Sequence, residues 1–246
     1  MPATTLRGLH DCIADAQQRF ADLLAVSLAA RRPDRDQYVR YLSFQYHLTR
    51  DVQVYLLAIA AHRDLARRRP LREFLYRTAN DDELKFLVAA KDLAAFGLAP
   101  LPINVDVELW HAYFRSIMHK RPFVRLGATV LLDNIGSGPA REWMQQALQG
   151  DFIDRSNSRF IVLQQHEAVA PGSQILAALA KSDLKPRHLN DLVEGARKAT
   201  VLYLRMVDWA LRPDAASRIC DASAAAIGAS EAKRIAEFDE YELEVA

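Results

Sequence analysis

Apolar residues recur at helical spacing along most of the chain, and period-two alternation is scarce. In the first segment the apolar series is Leu6, Leu9, Ile13, Ala16, Phe20 and Leu23. Steps of three and four place such residues on one face of a helix, whereas strands repeat every second residue. The pattern therefore predicts an all-α bundle of about eight helices.

Capping and breaking residues predict where these helices begin and end. Asp34 is suited to cap a second helix over roughly 37–62. Asn80 is suited to cap another, which should end at Gly97. The last long core helix is expected over 186–211.

Length and charge bound the class of protein. At 246 residues the chain fits one helical core, expected over 1–213, followed by an Ala-rich and then acidic helix or tail over 214–246. A formal net charge of +1 gives no global attraction to nucleic acid or to an anionic membrane. No apolar run reaches the roughly 20 residues that a bilayer crossing needs. With no C-x-x-C spacing and no apparent signal peptide, we expect a cytoplasmic protein.

Three short segments carry metal-ligand side chains on predicted helices. Glu83 ends the acidic segment 80–83, Asp133 ends an apolar segment that starts at Leu126, and His166 lies in a Gln-His-Glu sequence. Carboxylate oxygens and imidazole nitrogens are ligands that suit Fe(II). The segments therefore predict inward-facing side chains that could meet at one ion.

The order of these segments resembles the haem-oxygenase-like superfamily, which includes the TenA thiaminases and the quinone-cofactor synthase PqqC. A first helix with one histidine precedes the sequence 41–47, the three ligand-type segments follow, and 196–203 lies in a long closing helix. The resemblance covers most of residues 5–211. It implies a helical bundle with a site between facing helices, and often a homodimer.

The resemblance to the non-haem iron branch implies specific site residues. Glu83 matches the first carboxylate ligand, Asp133 stands where a second glutamate is expected, and His166 matches the histidine of the third ligand helix. On this interpretation the three residues are both metal ligands and catalytic residues. They would hold Fe(II) and activate O₂ in an oxidase or oxygenase acting on a small organic substrate.

Several positions depart from the ligand pattern of that branch. Phe86, Ala170 and Ser173 stand where the family places further ligands, which makes a normal di-iron site unexpected. Acidic residues around Glu83 are also what the first turn of any helix favours, and His166 could be a hydrogen-bonded core histidine. A non-catalytic descendant that binds a small molecule or a partner is therefore an alternative.

A second alternative is a haem oxygenase. His10 on the first helix resembles the axial ligand of that family, and Gly136 and Gly138 loosely resemble the glycines that approach the porphyrin. Glycine permits close backbone approach because it lacks a Cβ. The same Gly-Ser-Gly sequence is also typical of an ordinary helix end and turn.

One local charge bias stands out in a nearly neutral chain. It contains the arginines Arg67, Arg68, Arg69 and Arg72. Such a run could dock an acidic partner, for instance an acyl-carrier protein. Basic residues are also favoured at the C-terminal end of a helix without any partner.

Overall fold

The computed structural model of the protein describes residues 6–29, 32–147, 149–167 and 171–212, except for the side chains of 143, 146, 147, 164–167 and 171. These residues form eleven α-helices and a short 3-10 turn, with no strand among them. The helices are α1 (Arg7–Leu28), α2 (Arg35–Thr49), α3 (Val52–Ala60), α4 (Arg69–Asp81), α5 (Lys85–Ala95), α6 (Val105–Met118), α7 (Pro122–Ile135), α8 (Ala140–Ala147), α9 (Arg159–Glu167), α10 (Pro171–Ala180) and α11 (Pro186–Leu211). The all-α prediction is confirmed. None of the described helices has both the length and the apolar character that a membrane crossing requires.

Two predicted helix starts are confirmed in detail. The Asp34 carboxylate accepts a hydrogen bond from the backbone N–H of Gln37, and the Gln37 side chain accepts one from the Asp34 N–H, both at 2.8 Å. This reciprocal cap satisfies N–H groups that a helix start leaves open. The last core helix begins at Pro186 and ends at Leu211, as its sequence predicts. The predicted tail over 214–246 lies outside the described residues.

Two other predicted boundaries are wrong. The segment 37–62 contains two helices, α2 and α3, rather than one. Asn80 lies inside α4 and caps nothing, because Leu75 and Ala79 continue the buried stripe of that helix past the expected end. The chain then turns over residues 82–84 before α5 begins.

Helices α7 and α11 approach each other to backbone contact. A Cβ built on Gly195 of α11 would overlap the carbonyl oxygen of Val124, and one built on Gly127 of α7 would overlap that of Leu192. Each helix thus has a glycine where the backbone of the other passes. Helices α1 and α6 pack on both members of this pair, α2 packs on α11, and α10 packs on α7.

A second apolar cluster joins α2, α5 and α9 and encloses one carboxylate. Asp92 of α5 is 0% exposed, and its Oδ2 accepts a hydrogen bond of 2.8 Å from the backbone N–H of Phe160 at the start of α9. The side chain therefore caps α9 from a neighbouring helix. Burial raises the pKa of Asp92 to about 6, although the N–H groups at the start of α9 and the charge of Arg159 act to lower it.

We expect Gly195→Ala to lower the free energy of unfolding by about 2 kcal/mol, because overpacking at the backbone contact outweighs the roughly 1 kcal/mol that alanine gains in helix propensity. Urea unfolding measures this difference. Gly8→Ala is the matched control, since a Cβ there would lie 3.8 Å from a Val193 methyl carbon, an ordinary contact. Equal stability changes in the two variants would contradict the close crossing of α7 and α11.

We expect Asp92→Asn to change the pH dependence of stability. The folded pKa of about 6 exceeds the ordinary 3.8, so the carboxyl group's contribution to stability falls as pH rises between these values, by up to about 3 kcal/mol. Asparagine can still accept the Phe160 N–H bond but does not ionise. Relative to the wild type, the variant should therefore gain free energy of unfolding between about pH 4 and about pH 7. A constant difference across that range would contradict the raised pKa.

Candidate functional site

A cavity of about 370 Å³ lies between the helices, and several polar and charged side chains line it. Its walls come mainly from α2, α4 and α7, with single residues from α1, α3, α5, α8, α10 and α11. The volume is at the lower end of the range for small-molecule sites. On α7 the side chains of Arg125, Thr129 and Asp133 all line it, because steps of four bring residues to one helix face.

Arg125 is the most deeply buried charged group of the cavity wall. It is 1% exposed, and its Nη1 donates a hydrogen bond of 2.9 Å to the Thr129 hydroxyl. Three rings surround the guanidinium, with their centroids 5.0 Å (Tyr55), 5.5 Å (Phe114) and 5.9 Å (Trp110) from Cζ. Burial lowers the pKa of Arg125 to about 10, so the group remains a cation at neutral pH.

Two tyrosines and a glutamine form a polar group on the cavity wall, contributed by α2 and α11. Gln45 Nε2 donates to the Tyr203 hydroxyl at 3.3 Å, and Tyr41 interacts electrostatically with both residues. Burial raises the pKa of Tyr203 to about 12 and that of Tyr41 well above its ordinary value. Both phenols therefore stay protonated at neutral pH and can donate hydrogen bonds.

The opposite side of the cavity is more exposed and carries paired charges. Asp82 and Lys85 lie 3.4 Å apart, and both side chains are less than a fifth exposed. Arg77 is exposed and donates to the Gln174 side chain at 2.6 Å. These contacts join α4 to α10, and the turn after α4 to α5.

The structure describes the side chains of two of the three predicted iron ligands, Glu83 and Asp133, and places them in different surroundings. Asp133 lines the cavity and Glu83 does not: Glu83 is exposed in the turn between α4 and α5, whereas its neighbour Asp82 lines the wall. His166 belongs to α9, but its side chain lies outside the described residues. In the described part of the chain, no three His, Cys, Asp or Glu side chains are arranged to hold a metal. These side chains do not by themselves fit an iron ion.

The positions that depart from the family's ligand pattern have structural explanations. Phe86 is 2% exposed and packs edge-on against Tyr46, with 5.7 Å between ring centroids, inside the cluster of α2, α5 and α9. Ser173 is exposed on α10, and Ala170 lies outside the described residues. The Phe86 position is therefore part of an apolar core.

The haem alternative is not supported by where its residues lie. His10 is exposed on α1 and does not line the cavity. Phe20 of the same helix does line it. The two residues are ten positions apart, which is about 15 Å along a helix axis. Gly136 lines the cavity, but Gly138 is exposed, with a φ of 89° that suits a turn. The described residues thus bring no axial histidine to the cavity.

Three of the four arginines in the basic run have contacts within the protein. Arg68 donates to the Asp183 carbonyl oxygen at 2.7 Å, Arg69 pairs with Glu73 at 2.6 Å, and Arg72 donates to the Tyr76 hydroxyl at 3.1 Å. Arg67 is exposed. Three of these arginines therefore have partners within the protein itself. Docking of an acidic partner to the basic run stays a prediction.

The polar groups deepest in the cavity are not among the site residues that the sequence predicts. Arg125 is the one charged residue in the first eleven positions of α7, between Pro122 and Leu132. A lone arginine in an apolar helix is a readable signal for a buried cation. Gln45, Tyr41 and Tyr203 carry no such signal, because their proximity depends on how α2 packs against α11.

Comparison with known proteins identifies the fold. No family model and no curated protein matches the chain. The chain is similar to the crystal structure of a domain of unknown function with a heme oxygenase-like fold from Shewanella denitrificans, with a TM-score of 0.72 over 83% of this chain and 91% of that one. The two sequences are 16% identical. The haem-oxygenase-like fold that the sequence predicted is therefore confirmed.

Proposed function

We propose that this protein binds one small organic molecule in the cavity of its haem-oxygenase-like bundle. The main support is that Arg125, Gln45 and Tyr203 are 1%, 3% and 7% exposed yet all line the same cavity of about 370 Å³. Convergent polar groups in a largely buried pocket are the usual features of a ligand site.

The energetic cost of this arrangement supports a binding role. A buried guanidinium loses its hydration, and apolar residues of similar volume would often stabilise a core at least as well. Sequences tend to break packing rules of this kind at functional sites. The groups differ in what they offer a ligand: Arg125 offers a charge, while Tyr41 and Tyr203 offer protonated hydroxyls that orient it.

We expect Thr78→Phe to weaken binding of any cavity ligand by about tenfold or more, since a phenyl ring from this half-buried wall position of α4 would occupy part of the volume. Thr78→Ser keeps the hydroxyl and adds no volume, so it is the matched control. Ligand-induced shifts in melting temperature, measured for a fragment library, report binding. Fragments that bind both variants equally well would argue against the cavity as the site.

A second candidate is iron-dependent oxidation of the bound molecule, the activity that the superfamily resemblance implies. Its support is that Asp133, one of the three predicted ligands, lines the cavity together with Asp82. The described side chains alone do not form a metal site, so this function needs the imidazole of His166.

The iron content of the purified protein tests the second candidate. If it holds, protein expressed with added iron should carry about one equivalent, and His166→Ala and Asp133→Asn should each lose it. Glu83→Ala should retain the metal, because the Glu83 side chain is exposed outside the cavity. Iron that is absent from the wild type, or that survives in His166→Ala, would contradict this function and leave the cavity-binding proposal intact.

A further inference from the structure

The charge of Arg125 has no counter-ion within the described protein. No described carboxylate lies within ion-pair distance of its guanidinium, and its Nε has no hydrogen-bond acceptor. Asp133, the acidic residue that acts on it electrostatically, is eight residues further along α7, about 12 Å along the helix axis. A single neutral hydroxyl, that of Thr129, accepts its bond of 2.9 Å.

The surrounding rings hold this cation in place but do not neutralise it. Tyr55, Trp110 and Phe114 present ring faces or edges to the guanidinium within 6 Å. Such contacts favour a cation when water is excluded. The remaining N–H groups of a guanidinium still need acceptors, and an anion supplies them best.

We propose that the molecule bound in the cavity carries a carboxylate, and that this group pairs with Arg125. The inference rests on the proposed function and names the chemical class of its ligand. Arg125 would be the binding residue, while Thr129 holds the guanidinium in position. The hydroxyls of Tyr41 and Tyr203 line the same cavity and donate to polar atoms elsewhere on the ligand.

The charges on the rest of the wall favour a singly charged anion over a phosphate. Lys85 is already paired with Asp82 at 3.4 Å, and Arg77 is exposed and donates to a neighbouring glutamine. One buried cation thus remains for the ligand, and one carboxylate matches it. A doubly charged phosphate would place its second charge in a cavity also lined by Asp81 and Asp133, which would repel it.

Matched ligand pairs test this assignment on the wild-type protein. A library of small aromatic and aliphatic carboxylates, each beside its primary amide and its phosphate monoester counterpart, is titrated by calorimetry. We expect the carboxylates that bind to do so about tenfold more tightly than their amides, and to lose binding in Thr78→Phe but not in Thr78→Ser. Amides or phosphate monoesters that bind as tightly as the carboxylates would overturn the assignment while leaving the cavity function in place.

Two variants of Arg125 separate the effect of its charge from the effect of its packing. Arg125→Lys and Arg125→Gln both disturb the aromatic surroundings, but only the first keeps a cation. The preference for carboxylate over amide should persist in part in Arg125→Lys and vanish in Arg125→Gln. An unchanged preference in Arg125→Gln would overturn the assignment. If neither variant folds, the wild-type ligand pairs still decide the question, and a library in which nothing binds the cavity would instead defeat the proposed function.

Discussion

The backbone contact between α7 and α11 is the constraint on which the bundle and its cavity depend. Gly127 and Gly195 let the two helices meet without intervening side chains, which fixes the rotation of each helix about its axis. With α7 held in this way, Arg125, Thr129 and Asp133 line the cavity. On α11, Tyr203 lies eight residues beyond Gly195, about 80° around the helix axis from it. The glycine crossing therefore orients the polar wall of the site as well as the core.

The sequence predicts local features of this structure better than features that depend on tertiary packing. The ends of α11 and the cap at Asp34 follow from residues adjacent in the chain, and both predictions are confirmed. The predicted start of α5 at Asn80 is wrong. The acidic run 80–83 resembles a helix start, but the buried stripe of α4 continues to Ala79 and keeps Asn80 inside that helix. Local signals compete at such a point, and the packing of Leu75 and Ala79 decides between them.

The candidate site was predictable only where it lies along one helix. Asp133 was singled out from its own segment, and it does line the cavity. The resemblance points to Glu83, whereas in the structure its neighbour Asp82 lines the cavity and Glu83 is exposed, because adjacent residues in a turn face different directions. The group of Tyr41, Gln45 and Tyr203 joins helices about 160 residues apart, so no spacing in the sequence could indicate it.

The residues of α7 that line the cavity carry opposite charges at its two ends. Arg125 lies at one end of this stripe, among aromatic rings, and Asp133 lies two turns further along it, so opposite charges stand at the two ends of one wall. Because burial strengthens electrostatic interactions, such an arrangement favours one orientation of a polar molecule over its reverse. A ligand whose negative group points toward Arg125 would direct its neutral or positive end toward Asp133. The same helix register that packs α7 against α11 thereby selects how a ligand would lie in the cavity.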